Sequence, residues 1–326
     1  MTTTAVLMDP IGTIKPKKDT TLALLLEAQR RGHRLLYMEQ RGLAVRDGRA
    51  WARVAPLKVK DDPAGWFDLG EARWQPLAEA DLILARKDPP FDAQFLYDTQ
   101  VLDLASREGA RVVNAPQGLR DFNEKLAAQL FPQCCAPALV ARDRAELRRF
   151  AREHGQIVLK PLDGMGGRGI FRSSGDEPNL NAILETLAGD DERFAMAQKF
   201  IPEITAGDKR ILLVNGEPVP WALARIPQGG DFRGNLAAGG RGEGVALSER
   251  DRWIAAQVGP ELTRRGMLFV GLDVIGDWLT EVNVTSPTCV RELDALYGLN
   301  IAGTFFDALE AAGTRGSGLG TRGAVA

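Results

Sequence analysis

Two histidines and three cysteines in 326 residues leave this chain short of the side chains that most often act as nucleophiles, bases or zinc ligands. His33 follows a helix stop and His154 ends a charged helix, so both are expected to be surface structure, and no Ser/His/Asp or Cys/His catalyst is expected. Cys134 and Cys135 are adjacent, Cys289 is distant, and none has CxxC spacing. A disulfide framework is therefore excluded, and a reducing cytoplasm is expected. There is no large charge excess: Lys+Arg 41 against Asp+Glu 43 gives a net charge of -2, which suits neither a nucleic-acid nor a membrane surface. No apolar run approaches a membrane span, and MTTTAVLMDP lacks the basic and apolar regions of a signal peptide. GxxxxGK[ST] is absent, which removes the P-loop reading, and so is any internal repeat.

What is present centres on LKPLDGMGGRGIF, residues 159–171. A lysine ends an apolar run, and four glycines (Gly164, Gly166, Gly167, Gly169) then fall within six residues. Without a Cβ, such a loop brings its backbone N–H groups against a bulky anion, most naturally a nucleotide phosphate. GMGGRG fits the pattern G-x-G-x-x-G, but a dinucleotide site needs a helix directly afterwards. Here Ile170-Phe171-Arg172 and a turn follow, so the glycines are read as a flap between two strands. The plainer reading is a flexible surface turn.

In the first third, strands at 5–8, 35–38, 81–85 and 111–113 alternate with helices at 20–31, capped by Asp19, and 94–107. That alternation predicts an α/β unit with a parallel sheet covered on both faces, ending near residue 122. Residues 40–80 read as a variable polar region. Beyond 122, helices are expected at 123–130, 144–153 (capped by Asp143), 178–187 and 248–265, with strands at 157–159 and 194–198. Asn215-Gly216 predicts a hairpin over 208–226. The glycine-rich stretch 227–244 reads as a long mobile loop, a kind that is usually functional. Residues 314–326 read as a disordered tail.

Asp273, Glu281 and Asn283 lie on a final strand pair, 267–275 and 279–284. Three oxygen donors without histidine or cysteine suit Mg²⁺; the plainer reading pairs Asp273 with a buried arginine. A two-residue turn at Gly276-Asp277 would put Glu281 on the face opposite Asp273, whereas a three-residue connection pairs the two directly, so the second is predicted. Arg210 and Arg225 sit on the two arms of the 208–226 hairpin, where their forks suit a phosphoryl group and an oxyanion. If 214 opposes 217, then 210 opposes 221 and 225 opposes 206. On that register the two arginines are expected to share a face only through a bulge or an odd connection.

These segments are familiar together. KPLDGMGG, ARIPQGGDFRGNLAAGGRGE (224–243) and LTEVNVTSPTC (279–289) closely resemble prokaryotic glutathione synthetase, of the ATP-grasp superfamily. MDP (8–10), LLLEAQRRG (24–32), RKDPPFD (86–92) and NEKL (123–126) resemble it as well, so the likeness runs from about residue 4 to 312. The resemblance implies an α/β (α+β) ATP-grasp fold: a Rossmann-like N-terminal domain (1–122), then an ATP-grasp domain (123–313) made of a lid (about 123–200) and an antiparallel-sheet catalytic part (about 201–313). It also implies a cytosolic, often homo-oligomeric (dimeric or tetrameric) ligase that joins γ-glutamylcysteine to glycine with ATP and Mg²⁺ or Mn²⁺.

Peptide-bond formation from a free carboxylate can run through an acyl phosphate attacked by the amine, a route that needs no enzyme nucleophile and rests on positioning and charge. Lys125 and Lys160 match the two ATP-grasp lysines in position, beside the flap glycines Gly164, Gly166 and Gly167. Gln198, Lys199, Phe200 and Ile201 resemble the hinge that meets adenine, and Asp208 is placed to take a ribose hydroxyl. An acyl phosphate must be shielded from water, which makes 227–244, with Arg233 and Arg241, the expected cover. Asn283, Ser286 and Thr288 are candidates for glycine or the acceptor carboxylate. The rival readings are another ATP-grasp carboxylate–amine ligase with a different acceptor, or a non-catalytic nucleotide-binding sensor. A protein kinase is set aside, since neither HRD nor DFG occurs.

Overall fold

The computed structural model describes residues 1–236 and 239–316, with side chains as far as residue 311. The N-terminal unit runs β1 (Thr3–Met8), α1 (Thr20–Arg30), β2 (Arg34–Met38), β3 (Leu43–Arg46), β4 (Arg49–Val59), β5 (Phe67–Leu69), β6 (Arg73–Pro76), β7 (Leu82–Arg86), α2 (Ala93–Arg107), β8 (Arg111–Val113) and α3 (Pro116–Asp121). Asp19 caps α1 as expected, its carboxylate accepting from the Leu22 N–H at 2.6 Å. β1 lies parallel between β2 and β7, and β8 continues that parallel set.

The expected parallel strands are present, and antiparallel strands extend them. β4 joins β2 antiparallel, and β3, β5 and β6 pair antiparallel with β4, so residues 40–80 are sheet rather than a polar excursion. The eight strands form one mixed sheet. The expected helix over 123–130 is also corrected, to a 3-10 turn at Leu126–Leu130. The Asn123 side chain accepts the Lys125 and Leu126 N–H groups there and so competes with α-helical bonding.

The lid follows with β9 (Ala138–Ala141), α4 (Arg144–His154), β10 (Gln156–Pro161), β11 (Phe171–Ser174), α5 (Leu180–Ala188) and β12 (Ala195–Lys199). Its antiparallel sheet has the order β11-β10-β12-β9, and the glycine segment joins β10 to β11 as a flap. Strand alternation divides the faces. Ile157 and Leu159 pack on Leu147, Phe150 and Leu184 of the two helices, while Val158, Lys160 and Gln198 face the other way.

The C-terminal part holds β13 (Asp208–Val214), β14 (Glu217–Ile226), β15 (Arg241–Ala246), α6 (Glu249–Arg264), β16 (Phe269–Ile275), β17 (Trp278–Asn283), α7 (Val290–Tyr297) and α8 (Ile301–Gly316). The antiparallel order is β15-β14-β13-β16-β17. Ile211, Leu213, Leu272 and Val274 pack with Ile254, Val258 and Leu262 of α6, which leaves Asp208, Arg210 and Asp273 on the opposite face. Part of the stretch expected as loop is strand: Arg241–Ala246 pairs with β14. Thr314–Gly316 continue α8 rather than starting a tail, and the rest of the expected tail, 317–326, lies outside the described residues.

Two registers carry the site. Between β16 and β17 the connection is the two-residue turn Gly276-Asp277, with Ile275 opposite Trp278, and not the predicted three-residue one. Asp273 still meets Glu281 directly, because Thr280 is inserted as a bulge between Leu279 and Glu281. Its hydroxyl donates to the Asp273 carbonyl at 3.1 Å. In the β13–β14 hairpin, Leu213 opposes Pro218 but Ile211 opposes Ala222, so Leu212 faces three residues of β14. This irregularity brings Arg225 opposite Asp208. It is not what puts Arg210 and Arg225 on one side: positions 221 and 225 already share a face, so the expectation that a bulge was needed for that is corrected.

Asn215 and Gly216 have φ of 52° and 84°, the type I′ geometry of a tight hairpin. A Cβ on Gly216 would lie 2.6 Å from Thr263 Oγ1 and 3.0 Å from the Gly259 carbonyl. Gly216→Ala is therefore expected to destabilise the protein by about 1–3 kcal/mol, measured by denaturant unfolding; unchanged stability would contradict this account of the turn.

Candidate functional site

Two adjoining clefts lie between the lid sheet, the C-terminal sheet and the N-terminal unit. The first, of about 600 Å³, is lined by Val158, Ile201, Ile204 and Ile275 around Lys160, Gln198, Lys199, Phe200 and Asp208, with Phe232 to Asn235 as a further wall. The second, of about 750 Å³, is lined by Asp88, Glu124, Gly164, Gly166, Arg210, Arg225, Asn283, Ser286 and Thr288 among others. Asn235, Asp273 and Glu281 line both, so the clefts meet at the acids.

Asp273 is the centre of a buried ion network. Arg210, directly opposite on β13, donates through Nε to Oδ1 at 2.5 Å and through Nη2 to Oδ2 at 3.1 Å. Arg225 Nη2 lies 2.8 Å from Asp273 Oδ2 and also donates to Asp208 Oδ2. Burial pushes the Asp273 carboxyl up, but the two guanidinium groups outweigh it and hold it well below the usual carboxylate range. For Asp208, burial wins and raises the carboxyl to about 7 against the pull of Arg225, with Asp273 and Glu281 adding. Burial lowers the Lys160 ammonium, opposed by Glu281.

The expected residues thus gather with differences of detail. Lys125 donates to the Gly164 carbonyl at 2.5 Å and stands 3.8 Å from Glu281, linking flap to acids. Gly167 lines neither cleft and sits against Arg233 and Asn235; its carbonyl accepts from Arg233 Nη1 at 2.9 Å, and its φ of +79° suits glycine. Arg233 is also paired with Asp231, whose carboxyl it holds down at about 2. Arg241 is not brought in. It pairs with Glu243 on the edge strand and lines neither cleft.

Some site residues had no role assigned from sequence. Glu124 is buried and accepts from the Val284 and Thr285 N–H groups and the Thr285 hydroxyl. Arg86 donates to the Pro287 carbonyl at 2.9 Å. Asp88 lines the second cleft, and Asn235 lines both. The signal for the first three was their place in NEKL and RKDPPFD.

As possible holders of a divalent cation, Asp273, Glu281 and Asn283 share one face, with Glu281 opposite Asp273 and Asn283 opposite Gly271. Two carboxylates and an amide oxygen fit Mg²⁺, which keeps its remaining positions for water and phosphate. The Asn283 amide nitrogen donates to the Gly271 carbonyl, leaving Oδ1 as its acceptor atom. Asp273 is committed to arginines, as the plainer reading had it, yet each carboxylate oxygen offers two lone pairs, so an arginine bond leaves room for a cation.

Residues 2–120 match the N-terminal domain, and residues 124–298 the ATP-grasp domain, of prokaryotic glutathione synthetase. The chain belongs to the prokaryotic glutathione synthetase family. It is 69% identical over 306 residues to the glutathione synthetase of Xanthomonas axonopodis pv. citri, covering 94% of this chain and 97% of that one. Identity to the glutathione synthetase of Xylella fastidiosa is 61% over 308 residues, covering 94% and 98%. Among solved structures, D-cycloserine synthetase DcsG superposes with a TM-score of 0.66 at 14% identity, covering 94% of this chain and 98% of that one. The ATP-grasp ligase PsnB, complexed with a phosphomimetic variant of its minimal precursor, Mg and ADP, gives 0.58 at 16%, covering 95% and 98%. These two likenesses speak for the ATP-grasp fold alone.

Removing the charge of Asp273 leaves two buried guanidinium groups without their shared partner. Asp273→Asn is expected to cost about 3–5 kcal/mol in stability as well as activity; a variant as stable as the parent by denaturant unfolding would show that the network is not held as described.

Proposed function

We propose that this chain joins γ-glutamylcysteine to glycine at the expense of ATP, giving glutathione, ADP and phosphate. The observation that carries the reading is the meeting of two clefts at Asp273 and Glu281. A nucleotide in the first would present its terminal phosphate to a carboxylate held in the second. The near full-length likeness to glutathione synthetases supports the choice of substrates.

In the first cleft, the Gln198 side-chain nitrogen and Asp208 Oδ1 are buried without partners, which supports a base and a ribose hydroxyl as what they meet. Apolar Val158, Ile201 and Ile275 would flank the base, with Lys199 and Phe200 along the hinge. Lys125, Lys160 and the backbone of Gly164, Gly166 and Gly167 would take the phosphates. Mg²⁺, or Mn²⁺, held by Asp273, Glu281 and Asn283 would supply charge neutralisation at the phosphoryl oxygens. Arg210 and Arg225 face the second cleft, where they would hold the peptide carboxylate and steady the oxyanion formed when the glycine amine attacks the acyl phosphate. Asn283, Ser286 and Thr288 would contact glycine or that carboxylate. Arg241, paired with Glu243, has no such support. Among the described residues no helix is long and apolar enough to cross a membrane, and the described cysteines are free and buried. A cytoplasmic homo-oligomer, dimer or tetramer, completes the proposal on the resemblance alone.

Purified protein with ATP, Mg²⁺ and γ-glutamylcysteine should release phosphate and form glutathione only when glycine is added. Release with another amine but not glycine would favour a different ligase, and no release would favour a sensor. Glu281→Gln should cut that turnover by about 100-fold or more while leaving Tm nearly unchanged; undiminished turnover would remove Glu281 from the reaction. Arg233→Ala should raise phosphate released per peptide bond formed, because its bond to Gly167 ties the cover to the flap. A ratio that stays at one would remove the shielding role.

A further inference from the structure

The second cleft contains four carboxylates, Asp88, Glu124, Asp273 and Glu281, and three of them are committed. Asp273 is shared by Arg210 and Arg225. Glu124 Oε1 accepts two backbone N–H groups and the Thr285 hydroxyl. Glu281 faces Lys125 at 3.8 Å. Asp88 differs. The Ser286 hydroxyl donates to it, and among the described residues no cation lies within ion-pair distance. Its neighbour Lys87 is turned to Asp9, at 3.0 Å.

The backbone of Asp88 is nonetheless fixed. Its N–H donates to Asp9 Oδ2 at 3.0 Å, and its carbonyl accepts from Lys87 Nζ at 2.7 Å. A largely desolvated carboxylate on a fixed backbone, with no cation in ion-pair contact at the wall of a binding cleft, has the chemistry of a cation reader. Burial, together with Asp9, pushes its carboxyl above the ordinary value against Arg86, Lys87 and the Ser286 bond, so a bound cation would relieve it.

The substrates of the proposed reaction offer two ammonium groups. Glycine's amine must reach the carbon activated where the clefts meet, at Asp273 and Glu281. Asp88 lines only the second cleft, on the loop that follows β7 of the N-terminal unit. The γ-linkage of the peptide puts its α-ammonium several bonds from the reacting carboxylate, at the far end of the molecule. Resting on the proposed reaction, we infer that Asp88 binds the α-ammonium of the γ-glutamyl group and thereby sets which peptides the second cleft accepts. Ser286, bonded to it, joins this reader to the strand-end loop that carries Asn283 and Thr288.

The test is steady-state kinetics of the full chain on γ-glutamylcysteine and on glutarylcysteine, which keeps both carboxylates and the thiol and lacks only the ammonium. The parent enzyme should prefer γ-glutamylcysteine by about 30-fold or more in kcat/KM, and Asp88→Asn should bring the ratio within about threefold. The change should come from KM for γ-glutamylcysteine, with KM for ATP, for glycine and for glutarylcysteine unmoved. Asp88→Glu, which keeps the charge, should retain most of the discrimination. An equal loss on both peptides, a rise confined to the KM for glycine, or an Asp88→Glu enzyme as indifferent to the ammonium as Asp88→Asn would overturn the proposal. A parent enzyme that forms no glutathione would instead overturn the function on which it rests.

Discussion

The Asp273 carboxylate, clasped by Arg210 and Arg225 on one face of the C-terminal sheet, is the interaction on which the rest of the site depends. Two guanidinium groups and two carboxylates buried side by side are tolerable only as a bonded set, because each alone would carry an uncompensated charge. The set exists because strand register puts Arg210 opposite Asp273 and Arg225 opposite Asp208, while the other face of the same strands is apolar and packed on α6. Rigid charge at the junction of two clefts is what a reaction without an enzyme nucleophile requires. On the proposed reaction, the donors would already be oriented when negative charge develops and would not need to reorganise.

Around that fixed centre sit elements held by lighter contacts. The flap root is tied by Asn123 to the Leu162 carbonyl, by Lys125 to Gly164 and by the Phe91 N–H to the Asp163 carbonyl. Arg233 bridges from the glycine-rich cover to Gly167. Single hydrogen bonds between exposed or half-buried partners are each worth only about 1 kcal/mol, so flap and cover can open without disturbing the ion network. On the proposed reaction, substrate entry and water exclusion would fall to the glycine segments, and charge stabilisation to the sheet.

How much of this could be read in the chain depends on how local each signal was. The flap was legible because a lysine at a strand end followed by clustered glycine lets the backbone close on an anion, and a strand and turn rather than a helix come next. The hairpin was legible because Asn215-Gly216 selects a type I′ turn. Residues 40–80 were not, since the inward residues of β4 before Pro56 are the small Ala50, Ala52 and Val54 set between Arg49, Trp51 and Arg53, and Pro56 interrupts the run; the Asp47-Gly48 pair, both with positive φ, was the signal passed over. The meeting of Asp273 with Glu281 was foreseen, but through a longer turn than the one present. Nothing in the residues around Thr280 announces a bulge, which is selected by packing across the sheet. Glu124 and Asp88 gain their meaning from the 284–288 loop, some 160 to 200 positions away, a contact that local pattern does not carry.

The central claim is that charge positioned at the cleft junction lets ATP activate the peptide carboxylate directly. The most direct measurement uses γ-glutamylcysteine labelled with ¹⁸O in its cysteinyl carboxylate, with mass analysis of the phosphate released during glutathione formation. The account predicts one labelled oxygen transferred to each phosphate. Phosphate free of label would mean that the carboxylate was never phosphorylated, and would contradict it.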